Sequence, residues 1–177
     1  LSMCVNQKNI LKAHFPELQV LVGVPAGPAE HHQEGDAFEH TMFVLDEVET
    51  PDPVSRFGAL VHDLGKGLTP KDKWPKHLGH DEHVGLVDAL CERLKLPTEY
   101  LRFGRLAMSE HMRIHGLLEM KSTTIVKLVS QFRTGLSNDL YSLIEVVEAD
   151  GRGRIPASES TTEGELLLKI HEAFHGI

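Results

Sequence analysis

Apolar positions recur every three or four residues along most of this chain, and that period predicts helices rather than strands. Phe38, Met42, Leu45 and Val48 open the pattern. Asp52-Pro53 then reads as a helix start, a capping carboxylate followed by proline in the first turn. Val54, Phe57, Leu60, Val61 and Leu64 continue that helix, and Gly65 reads as its stop. Thr69-Pro70 predicts a short helix. Val84, Val87, Leu90, Cys91 and Leu94 predict a longer one, ended before Pro97.

Thr98 reads as the cap of the next helix, which carries Leu101, Leu106 and Met108. Ser122 reads as the cap of another, through Ile125, Leu128, Val129 and Phe132, with Gly135 after it. Leu140, Leu143, Ile144 and Val147 form the next, ending at Gly151. A last helix is expected over 163–174. Residues 9–21 hold a weaker helical signal broken at Pro16. Residues 23–36, GVPAGPAEHHQEGD, read as a surface segment leading in. No stretch alternates as a half-buried strand does. The fold class expected is an all-α helical bundle of about seven or eight helices, with 1–36 leading into a domain over 37–177.

Composition narrows the functional classes. Hydrophobic residues make up 41% and charged residues 25% of the 177, an ordinary balance for a globular domain. Eighteen basic residues face 26 acidic ones, for a formal net charge of −8. That argues against a broad nucleic-acid-binding face but leaves room for a local phosphate site. Cys4 and Cys91 match no zinc spacing, and Cys91 reads as a small buried hydrophobe. With no apolar run long enough for a membrane and no signal-peptide pattern, the expected setting is cytoplasmic.

The twelve histidines change the picture, because neutral imidazole is the commonest metal ligand. His62 and Asp63 end an apolar run, FGALVHDLGKG. A nitrogen–oxygen donor pair suits Mn, Fe, Ni, Co or Zn better than calcium, and an aspartate can bridge to a second ion. Lys66 stands three residues beyond Asp63, where a turn presents an ammonium to a phosphate. Asp150 shares a face with Leu143 and Val147, so its carboxylate points where the core does and needs a partner. His40 lies on the first helix of the pattern.

EGDAFEHTM, FGALVHDLGKGLTP, GHDEHVG and VEADGRGR together resemble the HD domain of bacterial multifunctional CCA proteins, which are tRNA nucleotidyltransferases with an HD phosphohydrolase domain. The resemblance runs from FPEL at Phe15 to the last helix. It implies metal-dependent phosphatase, 2′-nucleotidase and 2′,3′-cyclic phosphodiesterase activity. It also implies His40, His62, Asp63 and Asp150 as ligands of a divalent metal (Ni, Co, Mn or Mg). The expected substrate is a nucleotide or an RNA 3′-end phosphoester, with tRNA as the larger partner and a homodimer as one assembly. The family's nucleotidyltransferase half has no counterpart here, so the chain is expected to be an excised domain that does not add CCA.

Asp63 and Lys66 are the expected catalytic pair. His80 and His111 are candidates for a second ion or for substrate phosphate, and a C-cap role competes for His111. Arg152 and Arg154 follow Asp150 and are candidate phosphate grips, with loop solvation as the competing reading. His77, His80 and His83 also read as a solvated face or a structural zinc site. His31, His32, His171 and His175 read as surface residues, and His115 has no assigned role. Trp74 reads as packing or as a pocket wall. Two competing classes stand beside the enzyme: a non-catalytic HD module for dimerisation or tRNA placement, and a general HD nucleotide phosphohydrolase.

Overall fold

The computed structural model describes residues 10, 13–132, 137–157 and 162–175; Cys4 and Gly135 lie outside the described residues. Among these residues there are seven α-helices and no strand, so the chain is an all-α bundle. The helices are α1 (Ala37–Glu47), α2 (Pro53–Val61), α3 (Gly85–Leu94), α4 (Thr98–His115), α5 (Ser122–Ser130), α6 (Ser137–Arg152) and α7 (Glu163–His175). Short 3₁₀ turns join several of them, including Leu64–Leu68 and His80–Glu82. No helix among the described residues is long and apolar enough to cross a membrane.

The start signals have clear physical origins. Asp52 caps α2, accepting from the backbone N–H groups of Val54 and Ser55. Asp36, which the apolar period did not single out, caps α1 through Glu39 N–H and also accepts from Gly23 N–H. Thr98 and Ser122 are not caps. Each is the first helical residue, because Pro97 and Lys121 already hold the extended backbone of the cap position and neither makes a side-chain cap bond.

Helix α2 lies at the centre, packed against α1, α4 and α6. Its Gly58 permits a close crossing, since a Cβ there would overlap the Phe103 ring of α4. Two apolar clusters flank it. One gathers Phe103, Ile114, Leu128, Ile144 and Leu166. The other gathers Leu18, Leu21, Phe38, Leu64, Leu90 and Met108, and it includes Cys91 as expected.

The segment expected to run along the surface is exposed at several positions but docked at others. Val24 and Ala26 are buried, and a backbone bond from Ala37 N–H to the Val24 carbonyl holds the segment against α1. Gly65 is not a helix stop either. Helix α2 ends at Val61, and a 3₁₀ turn carries the chain through Gly65. A Cβ at Gly65 would overlap the His80 carbonyl, so the glycine is there for close approach of the two turns.

Candidate metal centre

Five elements bring their polar groups to one buried point. Helix α1 supplies His40, the end of α2 supplies His62 and Asp63, the His80 turn supplies His80, α4 supplies His111, and α6 supplies Asp150. All six side chains are buried. They fall into two groups with ion-sized spacing, His40–His62–Asp150 and Asp63–His80–His111.

Asp63 joins the two groups. Its Oδ2 lies 3.3 Å from His62 Nε2 and 3.9 Å from His40 Nε2. Its Oδ1 lies 3.3 Å from His80 Nε2 and 3.6 Å from His111 Nε2. Lys66 Nζ donates to Oδ2 at 2.6 Å and to the Ala26 carbonyl at 2.7 Å. Burial works to raise the Asp63 carboxyl, but Lys66 and the imidazoles of His62 and His111 outweigh it and hold the group well below the usual carboxylate range.

Asp150 is held from both sides. His40 Nε2 lies 2.8 Å from Oδ1, while His115 Nε2 at 2.5 Å and an Arg154 guanidinium nitrogen at 2.9 Å lie on Oδ2. Burial again pushes the carboxyl up, and His115, His40 and Arg154 bring it well below its ordinary value. His115 therefore has a place, as a partner of Asp150. At the end of a long helix it carries no sequence signal beyond that of a C-terminal cap.

The histidine rings are oriented by their other nitrogens. His62 Nδ1 bonds the Ala59 carbonyl at 2.8 Å, His80 Nδ1 the His77 carbonyl at 2.9 Å, and His111 Nδ1 the Met108 carbonyl at 2.9 Å. A carbonyl only accepts, so each Nδ1 carries the proton and each Nε2 turns a lone pair inward. His62 Nε2 is buried without a hydrogen-bond partner, and the Nε2 atoms of His80 and His111 stand 3.2 Å apart. Buried lone pairs facing one another and two carboxylates fit a cation.

Beside this point lies a cavity of about 180 Å³, lined by Asp63, Lys66, His80, His111, Asp150 and Arg154, with residues 26–28 and His31–His32 on its other wall. Two larger cavities lie elsewhere, and neither includes these groups.

Several expected placements need correction. Arg152 is turned away from the cavity, toward the Glu47 carbonyl and the carboxylates of Glu47, Glu49 and Glu148; two residues further on, Arg154 lies in the bend beyond α6 and enters it. Among the described residues His77, His80 and His83 do not gather as a zinc group, nor do they share a solvated helix face. His77 is buried between Thr69 Oγ1 and the Pro25 carbonyl, while His80 joins Asp63. His32 is not a surface residue; it is half-buried and bonds Glu34 at 2.7 Å. His31, His171 and His175 are exposed as expected. Trp74 packs with the second cluster, and its ring N–H donates to the Thr69 carbonyl. Glu34, on which no role was placed, lies 2.9 Å from His40 Nδ1.

No protein-family model matches the chain. Curated relatives do. A Methylococcus capsulatus protein named "Multifunctional CCA protein" is 40% identical over 149 residues, covering 81% of this chain. Proteins of the same name from Xanthomonas campestris pv. campestris and Shewanella frigidimarina are 39% and 38% identical over 92% and 89% of it. This chain matches one part of the multifunctional CCA protein. It spans 35%, 41% and 39% of the length of these three relatives. The matches over 92% and 89% of the chain leave out too few residues to miss 40–150, which carry both groups.

Proposed function

We propose that this chain is the HD part of a tRNA CCA-adding and repair enzyme. In this reading it is a metal-dependent phosphohydrolase with 2′,3′-cyclic phosphodiesterase, 2′-nucleotidase and phosphatase activity, its hydrolytic domain spanning residues 37–177. Its substrate is a nucleotide or an RNA 3′-end phosphoester, and tRNA is the larger partner. The observation that carries this reading is Asp63, whose two oxygens address two histidine-rich groups beside a cavity holding Lys66 and Arg154.

His40, His62, Asp63 and Asp150 hold the first divalent ion, and His80 and His111 join Asp63 for a second ion or for substrate phosphate. The nitrogen-rich donor set favours Ni, Co or Mn over Mg. Such an ion supplies electrophilic activation of water and of the phosphoester. The protein's own groups do the rest. Asp63 orients the attacking water. Lys66 and Arg154 hold the phosphoryl oxygens as charge develops on them. The carbonyls of Ala59, His77 and Met108 keep three imidazoles in one tautomer.

The test is Asp63→Ala against 2′,3′-cyclic AMP with nickel, cobalt or manganese, with bound metal measured on both proteins. A loss of about 100-fold or more is expected. Undiminished hydrolysis by the variant overturns the reading. A wild-type protein that binds no metal and hydrolyses nothing favours a non-catalytic module for dimerisation or tRNA placement.

A further inference from the structure

The side chain of Glu34, in the lead-in segment, has no solvent-exposed surface. It opens the EGDAFEHTM stretch, six residues before His40, and three parts of the chain converge on it. His32 Nδ1 lies 2.7 Å from its Oε1, His40 Nδ1 lies 2.9 Å from the same oxygen, and Ile155 N–H donates to its Oε2 at 2.9 Å. A backbone bond from Gln33 N–H to the Ile155 carbonyl at 2.7 Å doubles that last link.

These contacts run in one direction. Nδ1 is the outward nitrogen of His40; the inward one, Nε2, faces Asp150 and the His62 group. The other three inward-facing imidazoles have a backbone carbonyl behind them, at Ala59, His77 and Met108. The Nδ1 of His40 has Glu34 in the corresponding place. The His40 Nδ1 has no hydrogen-bond partner, so the 2.9 Å contact is a close charge pairing and not a hydrogen bond. A carboxylate behind a ligating histidine fixes its ring and raises its basicity. Through Ile155 the same carboxylate also anchors the loop that carries Arg154, the neighbour of Asp150.

We infer that Glu34 is a positioning residue of the metal centre: it sets the His40 ring through Nδ1 and ties the Arg154 loop to the lead-in segment. The inference rests on the metal-centre reading above. His32, Glu34 and His40 are themselves spaced closely enough to hold a cation. Both imidazole contacts to Oε1 are at hydrogen-bond length, however, and Oε2 is already taken by Ile155 N–H. The carboxylate therefore accepts from His32 and is the charge partner of His40.

The test compares wild type, Glu34→Gln and Glu34→Ala by three measurements: cobalt affinity, thermal unfolding, and the ¹⁵N shifts of the His40 imidazole without metal. Glu34→Gln keeps an oxygen behind His40 but loses the charge. The expected result is cobalt binding weakened about tenfold in the glutamine variant and toward 100-fold in the alanine variant, with a changed His40 nitrogen spectrum in both. If the alanine variant does not fold, the glutamine variant decides. Cobalt affinity within twofold of wild type in folded variants overturns the inference, even where the melting temperature falls, since that is what a purely structural residue would give. Should wild type bind no cobalt, the metal-centre reading fails. The nitrogen spectrum then decides alone: altered His40 shifts in Glu34→Gln support the positioning role, and unaltered shifts overturn it.

Discussion

His80 and His111 present their Nε2 atoms to one another across 3.2 Å, each with its Nδ1 committed to a backbone carbonyl. Two neutral rings in that tautomer repel, and a shared cation or proton relieves the repulsion. Asp63 Oδ1 is the third member of the group, 3.3 Å from His80. Replacement of either ring by one that offers no nitrogen should therefore lower bound metal. His80→Phe is expected to reduce cobalt per chain and to cut hydrolysis of 2′,3′-cyclic AMP by about 10–100-fold. Metal analysis beside the kinetic assay checks both; an unchanged metal content would place His80 in substrate binding instead.

Lys66 and Asp63 form a buried pair at 2.6 Å. Removing one partner of such a pair leaves the other charge without compensation, at a cost of about 3–5 kcal/mol. Lys66→Met should show a loss of that size in denaturant unfolding of the metal-free protein. Added cobalt should recover more stability in this variant than in wild type, because a cation beside Asp63 replaces the lost ammonium. Equal stabilisation of the two proteins by cobalt would contradict this.

Arg154 and Arg152 are near in sequence and separated in space. Arg154 reaches Asp150 and the cavity wall, whereas Arg152 pairs with Glu47 and Glu148 outside it. Arg154→Ala is expected to lower kcat/KM by about tenfold or more, or about 1.4 kcal/mol of barrier. Arg152→Ala should stay within about 0.5 kcal/mol in stability and leave the kinetics near wild type. The reverse ranking in a side-by-side assay would contradict this placement.

Asp52 links acid stability to one helix start. Partial burial works to raise its carboxyl, but bonds from the Ser55 backbone and hydroxyl and from Val54 N–H outweigh it, and the group titrates below its ordinary value. A carboxyl lowered in the folded state contributes stability that is present above its unfolded value. That stability is lost as pH falls through the folded one. Asp52→Ala should cost about 1 kcal/mol near neutrality. The difference from wild type should shrink as the pH is lowered below about 4. A constant difference across that range, measured by urea unfolding, would show that the cap bond does not titrate.

Much of the helical layout was legible because burying one face of a helix imposes a period that any chain must write into its sequence. Phe38 to Leu45, Val54 to Val61 and Leu140 to Val147 all show it, and each lies in a helix facing the core. The His62–Asp63 pair at the end of an apolar run, and Asp150 on a core-facing stripe, were legible for the same reason. A polar residue at a buried position stands out against its neighbours.

Other features left no such mark. Glu34 sits in a loop rich in glycine, proline and polar residues, where a carboxylate looks solvated; only the docking of that loop onto α1 sets it behind His40. His115 looks like an ordinary helix end until α6 brings Asp150 to it. Arg152 and Arg154 are alike in the sequence, but Arg152 closes α6 and Arg154 lies in the bend beyond it. The periodic burial of side chains is a local property, so the sequence determined the helices and the ligand types within them. The pairing of His80 with His111, of Glu34 with His40 and of Arg154 with Asp150 depends on which elements cross, and only the tertiary structure decided that.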